Sequence, residues 1–140
     1  MIDNRFAPYG AFALRVALGI MFIAHAYLKF AIFTVPGFAG FLAQSGLPTI
    51  LAWPIILAEV TGGIALIVGF HGRIVSLVLL PILLGAISIH APNGWVFTSA
   101  NGGWEYPAFL ALVAFAQALI GDGAFALSNA QSGNPALRTA

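Results

Sequence analysis

Four long apolar runs, set apart by short polar segments marked with glycine and proline, dominate the chain and predict four membrane-spanning helices. The first covers about residues 11–32, after a polar start from Met1 to Arg5 and a turn at Pro8, Tyr9 and Gly10. The second covers about residues 50–70, introduced by Gly46 and Pro48 and ended by Gly69; the third covers about residues 73–90. The fourth runs over about residues 105–120 and stops at Gly121-Asp122-Gly123. Pro54 and Pro81 lie inside their runs and predict kinks, because each removes a backbone donor and crowds the preceding turn. The fold class expected is all-α, an integral membrane four-helix bundle running up-down-up-down.

The connections are unequal. Runs two and three are joined only through His71 and Gly72, whereas residues 33–49 and 91–104 form longer links. In the first of these, Phe38, Phe41, Leu42 and Ser45 recur at helical spacing after Pro36 and Gly37, which suits a short helix lying in the interface or, failing that, an irregular loop. Residues 1–10 read as a short N-terminal segment and 129–140 as a polar tail. Arg5, Arg15, Arg73 and Arg138 fall on one side of a four-span chain against Lys29 on the other, which places both termini in the cytoplasm. Trp53, Trp95 and Trp104 fall near the opposite boundary, where indole rings favour the headgroup layer. Arg15, the apolar stretch to Ala24 and the Ala24-His25-Ala26 triplet imitate a signal peptide, but the apolar run continues through Phe33, so a retained helix is expected.

Composition makes the lipid bilayer the chain's first partner. Of 140 residues, 61% are hydrophobic and 6% charged, with a mean hydropathy of +1.00, whereas roughly 25% charged residues are usual in soluble domains. Five Lys and Arg against four Asp and Glu, with no basic run, leave no nucleic-acid surface. The absence of cysteine removes disulfides, thiol exchange and cysteine-ligated clusters, so any redox chemistry needs a bound group or a partner.

Against this background the ionisable residues inside the runs stand out, since each costs at least ~2.5–3.5 kcal/mol near a helix centre. At 1.5 Å per residue from the cytoplasmic ends, His25 lies about 20 Å deep, Glu59 about 16 Å, His90 about 25 Å and Glu105 about 22 Å. One strong polar group per helix therefore falls in the outer half. Lys29 shares the face of His25 one turn outward, and Arg15 sits about 4–5 Å inside the cytoplasmic edge. Taken singly, Lys29 and Arg15 would snorkel to opposite surfaces, Glu105 would cap a helix start and Glu59 would pair with one neighbour. His71 reads as a solvated turn residue and Asp122 as part of a helix-ending turn. Gly19, Gly62, Gly63 and Gly69, with Ala108, Ala111, Ala114 and Ala118, would let helices approach closely.

Three chemistries would use the outer set. A transition metal would take His25, Glu59, His90 and Glu105 as a mixed nitrogen and oxygen set. A b-type haem would use His25 and His90 across the bundle. A quinone headgroup would sit with His25, Lys29 or Glu59 exchanging protons.

The combined pattern Leu14-Arg15-x3-Gly19-x2-Phe22-x2-His25-x3-Lys29, Glu59-x2-Gly62-Gly63-x5-Gly69-x3-Arg73, His90, Glu105 and Gly121-x-Gly123 resembles the DoxX family of small four-helix membrane proteins, over about residues 11–128. Ala26 departs from the glycine that the family often has after the histidine. The resemblance implies a bacterial inner-membrane, multi-pass protein serving redox metabolism. Relatives form the membrane part of a thiosulfate:quinone oxidoreductase, and others are associated with quinone or oxidative-stress responses. Carried over by position, the polar signature is Arg15, His25, Lys29, Glu59, Arg73, His90 and Glu105. The leading expectation is a site for a quinone or metal-linked redox group in the outer half, with His25 and Glu59 handling protons and Lys29, His90, Glu105 and Arg15 completing ligand binding. Two other expectations stand beside it: a non-catalytic subunit that docks a redox partner, with homo-oligomerisation as a further arrangement, and a small permease or metal-handling protein.

Overall fold

The structure, a computed structural model, describes residues 3–131. Its described residues are helical and contain no strand. Helix α1 spans Ala7–Tyr27 and passes directly into a π-helical turn, Leu28–Ile32; α2 spans Val35–Gln44; α3 spans Ala52–Val68 after a 3-10 turn at Thr49–Leu51. Helix α4 spans Gly72–His90, α5 Glu105–Ile120 and α6 Leu127–Gln131. Three apolar helical stretches, Ala7–Ile32, Thr49–Val68 and Gly72–Asn93, are long enough to cross a bilayer, and α5 is a shorter apolar helix. The polar tail from residue 132 onward, with Arg138, lies outside the described residues.

The local sequence accounts for most boundaries. Pro8 sits in the first turn of α1, where its missing N–H costs nothing, so the helix begins four residues earlier than the apolar run suggests. Gly69 ends α3 in a left-handed conformation, φ 73°, and Phe70 N–H closes the turn on Ala65 O at 2.9 Å. Phe38, Phe41 and Leu42 do form a helix, α2, whose Phe38 and Leu42 are buried against Ala26, Ala52 and Ile56. The kink expected at Pro54 has no basis: it is the third residue of α3, where the N–H has no intrahelical acceptor to lose. Pro81 does lie inside α4, whose helical run continues through it to His90.

Packing is organised in two pairs, α1 on α3 and α4 on α5, with α3 and α4 in contact between them. The central core consists of Leu18, Phe22, Leu66, Leu79, Leu83, Leu110, Ala111 and Ala114. The large side chains left outside, such as Ile20, Leu57, Val78 and Leu112, point away from it and suit a lipid-facing surface. Gly19 and Gly63 bring α1 and α3 backbone to backbone: a Cβ on Gly19 would lie 2.7 Å from Gly63 O, and one on Gly63 would lie 2.8 Å from Gly19 O. Gly19→Ala is therefore expected to cost about 1–3 kcal/mol, against the helix-propensity gain of about 0.5–1 kcal/mol that alanine normally brings. Gly10→Ala, in the same helix but facing open space, should show that gain. Thermal unfolding of the two variants in detergent should move in opposite directions.

Candidate functional site

A π turn holds one extra residue per turn and so rotates the rest of the helix about its axis; such turns recur at functional sites. Here the turn Leu28–Ile32 is closed by Phe33 N–H donating to Leu28 O at 2.8 Å, and it carries Lys29. Lys29 does not snorkel outward. Its Nζ donates to both carboxylate oxygens of Glu59 on α3, at 2.6 and 2.8 Å. The side chains of the pair are 16% and 3% exposed. Phe38 of α2 lies over this pair, with Lys29 Nζ 5.5 Å from its ring centroid, and Phe38 in turn stacks with Phe41. Two of the three ammonium donors are thus committed to Glu59, and one is left.

One turn before Lys29, His25 donates through Nδ1 to Met21 O at 2.8 Å, which leaves Nε2 for another partner. Its ring stacks on Tyr106 of α5, centroids 5.7 Å apart and planes 21° apart. His25, Lys29 and Glu59 therefore form a partly buried set of donors and acceptors at the α2 end of the molecule, with the exposed Tyr106 stacked at its edge. Nothing in the sequence singles out Tyr106 and Phe38 as site residues, because an aromatic beside a polar group has the same pattern as an aromatic in a core.

The other two residues of the expected set go elsewhere. His90 Nδ1 faces Asn101 O and Gly102 O at 3.1 and 3.2 Å, carbonyls that also accept from Asn93 Nδ2 at 3.2 and 2.9 Å. Glu105 is the first residue of α5, yet its carboxylate accepts from Phe97 N–H at 2.9 Å and so pins the 91–104 loop rather than its own helix. Trp95 and Trp104 meet edge to face in the same loop, centroids 4.4 Å apart. Among the described residues no three of His, Cys, Asp and Glu gather tightly enough to hold a metal ion. The set His25, Glu59, His90 and Glu105 is accordingly not one ligand sphere, and the two histidines of the haem reading answer to different neighbours.

Arg15 departs furthest from expectation. Instead of snorkelling it is 0% exposed. Its guanidinium donates to Leu66 O and Ile67 O at the end of α3, at 2.5 and 2.8 Å, and to Asp122 O and Ala124 O in the turn after α5, at 2.9 and 3.2 Å. All four lie where a helix or turn stops; Leu66 O also accepts from Gly69 N–H at 3.1 Å, and in a low-dielectric interior the other carbonyls need a donor. Asp122 completes this end: Ser128 Oγ donates to its Oδ2 at 2.5 Å, and Gly72 packs so closely that a Cβ there would strike Oδ1. Arg73 performs a related task from the surface, donating to Ala118 O, Leu119 O and Ile120 O at the end of α5. His71, as expected, is exposed.

Comparison with known proteins places the chain in context. The DoxX family model matches residues 10–97, which include Arg15, His25, Lys29, Glu59, Arg73 and His90, but stop short of Glu105 and the Gly121 to Gly123 turn. A protein of Bacillus subtilis (strain 168) named "Putative oxidoreductase CatD" is 34% identical over 84 residues, 60% of this chain. The match spans only 61% of that relative's own length. No solved structure matches the chain. With the family model covering more than half of the residues and three helices long and apolar enough to cross a bilayer, this is a membrane protein, and the chain belongs to the DoxX family.

Proposed function

We propose that the protein is a redox-linked component of a bacterial inner membrane that binds a quinone headgroup beside the Lys29–Glu59 pair. Its four longer helices would form an up-down-up-down bundle with both termini in the cytoplasm, so that the pair lies in the outer half. The single observation that carries the reading is the buried ion pair itself, set at a π turn with His25 one turn away and stacked on Tyr106. The relative named as an oxidoreductase supports the redox class.

A quinone would supply the two-electron, two-proton carrier. The chain's own groups match the needs of its headgroup. The remaining Lys29 donor would hydrogen-bond a carbonyl oxygen, and the adjacent ammonium would stabilise negative charge developing there. Glu59 and His25 are the side chains beside it that would take up and release protons. Phe38 and Tyr106 would hold the ring plane and exclude water. Because the chain has no cysteine, electrons would come from a partner or another bound group.

The test is a native mass spectrum of protein extracted in mild detergent without chelator and then loaded with ubiquinone or menaquinone. The expected result is a quinone-sized adduct that weakens about tenfold or more in Glu59→Gln, since a charge-assisted contact is worth about 1.5–3 kcal/mol. The variant should still elute as a monodisperse species. An adduct of equal strength in both proteins, or none in either, would sink the reading.

A further inference from the structure

The two ends of the molecule are built differently. At one end, Arg15 ties α1 to the end of α3 and to the turn after α5 through four hydrogen bonds, those to Leu66 O and Ala124 O fully buried. The polar groups beyond it stop at Ser76 and Gln117, both 0% exposed. Above that level comes an uninterrupted apolar layer in which Leu18, Phe22, Leu66, Leu79, Leu110 and Ala114 touch one another. Leu66 follows Glu59 by seven residues on α3, so the layer separates the ion pair from the Arg15 end by about 10 Å of hydrocarbon. A hydrated ion crossing such a layer would leave its water behind, with no polar group there to replace it.

At the other end, among the described residues, the cover is thinner: the smaller cluster of Ala26, Phe38, Leu42, Ala52 and Ile56 under α2. Lys29 is the less buried partner of the pair, at 16% against 3% for Glu59, and its cover is α2, a ten-residue helix. That helix is hung between Thr34, a β-branched residue at φ 62° and ψ 157°, and Gly46 at φ 77°. A threonine in that region is strained, and strain of this kind persists only where the surroundings enforce it.

We infer that the Lys29–Glu59 site exchanges water, protons and polar ligands with the α2 face alone, and that the layer around Leu18 and Phe22 insulates it from the Arg15 face. This rests on the site proposed above but concerns its access. Protons taken up or released there would therefore be drawn from and returned to one side of the membrane only.

Because the chain has no cysteine, single-cysteine variants in sealed vesicles report access directly. The probe is a membrane-impermeant, positively charged thiosulfonate, added to one face at a time and read as a mass increase. Arg5→Cys marks the Arg15 face and Gln44→Cys the α2 face. His25→Cys and Lys29→Cys should react at least tenfold faster from the Gln44 face than from the Arg5 face, and Phe22→Cys should react from neither. His25→Cys leaves the ion pair intact and carries the test if Lys29→Cys does not fold. Equal rates from both faces, reaction at Phe22→Cys, or no reaction at His25→Cys from either face would each overturn the inference. One-sided labelling without a quinone adduct would instead defeat the functional proposal while leaving the access route standing.

Discussion

Arg15→Ala is expected to destabilise the protein by about 3–5 kcal/mol, enough to abolish most of the folded, extractable material. The guanidinium is the shared donor for four carbonyls on two separate segments, Leu66, Ile67, Asp122 and Ala124. Removing it strands acceptors where water cannot take its place without opening the helix junction. Asp122 would also lose the charge beside it. Arg15→Lys should recover only part of the loss, about half, because a single ammonium cannot reproduce the planar fork that reaches two helix ends at once. Thermal unfolding in mild detergent, with the monodisperse fraction on a sizing column, measures both. If Arg15→Ala melted within about 0.5 kcal/mol of the parent, as a surface substitution does, the junction would have to be held by packing alone.

The same residue shows where sequence reading loses its grip. The apolar runs reveal the helices because a spanning helix must satisfy its own backbone, and this leaves a composition signal about twenty residues long. The spacing of Phe38 and Leu42 likewise reveals α2, since a helix that covers a core keeps its buried side chains on one face, while Phe41 of the same pattern is exposed. Arg15, by contrast, bonds only to main-chain oxygens, and a carbonyl has no residue identity to read. Its shallow depth looks like snorkelling unless the turn at Asp122 is known to fold over it.

Depth also explains the mixed outcome at the outer site. Counting residues along a helix fixes height but not direction around the axis, so His25, Lys29, Glu59, His90 and Glu105 all appear level. The structure brings the first three to one end of the α1 and α3 pair and turns the last two toward the 91–104 loop. The π turn at Leu28–Ile32 has no composition signal either, and an ideal helix drawn through residues 11–32 misses it.

The ion pair gives the second large effect, and its pattern distinguishes a stability device from a functional one. Lys29→Met should cost about 3–5 kcal/mol, because it leaves the Glu59 carboxylate, 3% exposed, without its counter-charge. Glu59→Gln should cost less, about 1–2 kcal/mol, since the ammonium is the partner nearer water and an amide still accepts one of its hydrogen bonds. The double variant Lys29→Met/Glu59→Gln should cost only about 1 kcal/mol against a summed single loss of about 4–7 kcal/mol, a coupling of about 3–6 kcal/mol in a double-mutant cycle read by detergent melting. The coupling should also change little between low and high salt, unlike that of a surface pair. A pair that two uncharged side chains replace at little cost in stability is not kept for stability. If the double variant folds like the parent but binds no quinone, the charges are there for the ligand. Singles that cost under about 1 kcal/mol would mean that water already reaches both groups, and the argument for a buried, protein-tuned site would fall with them.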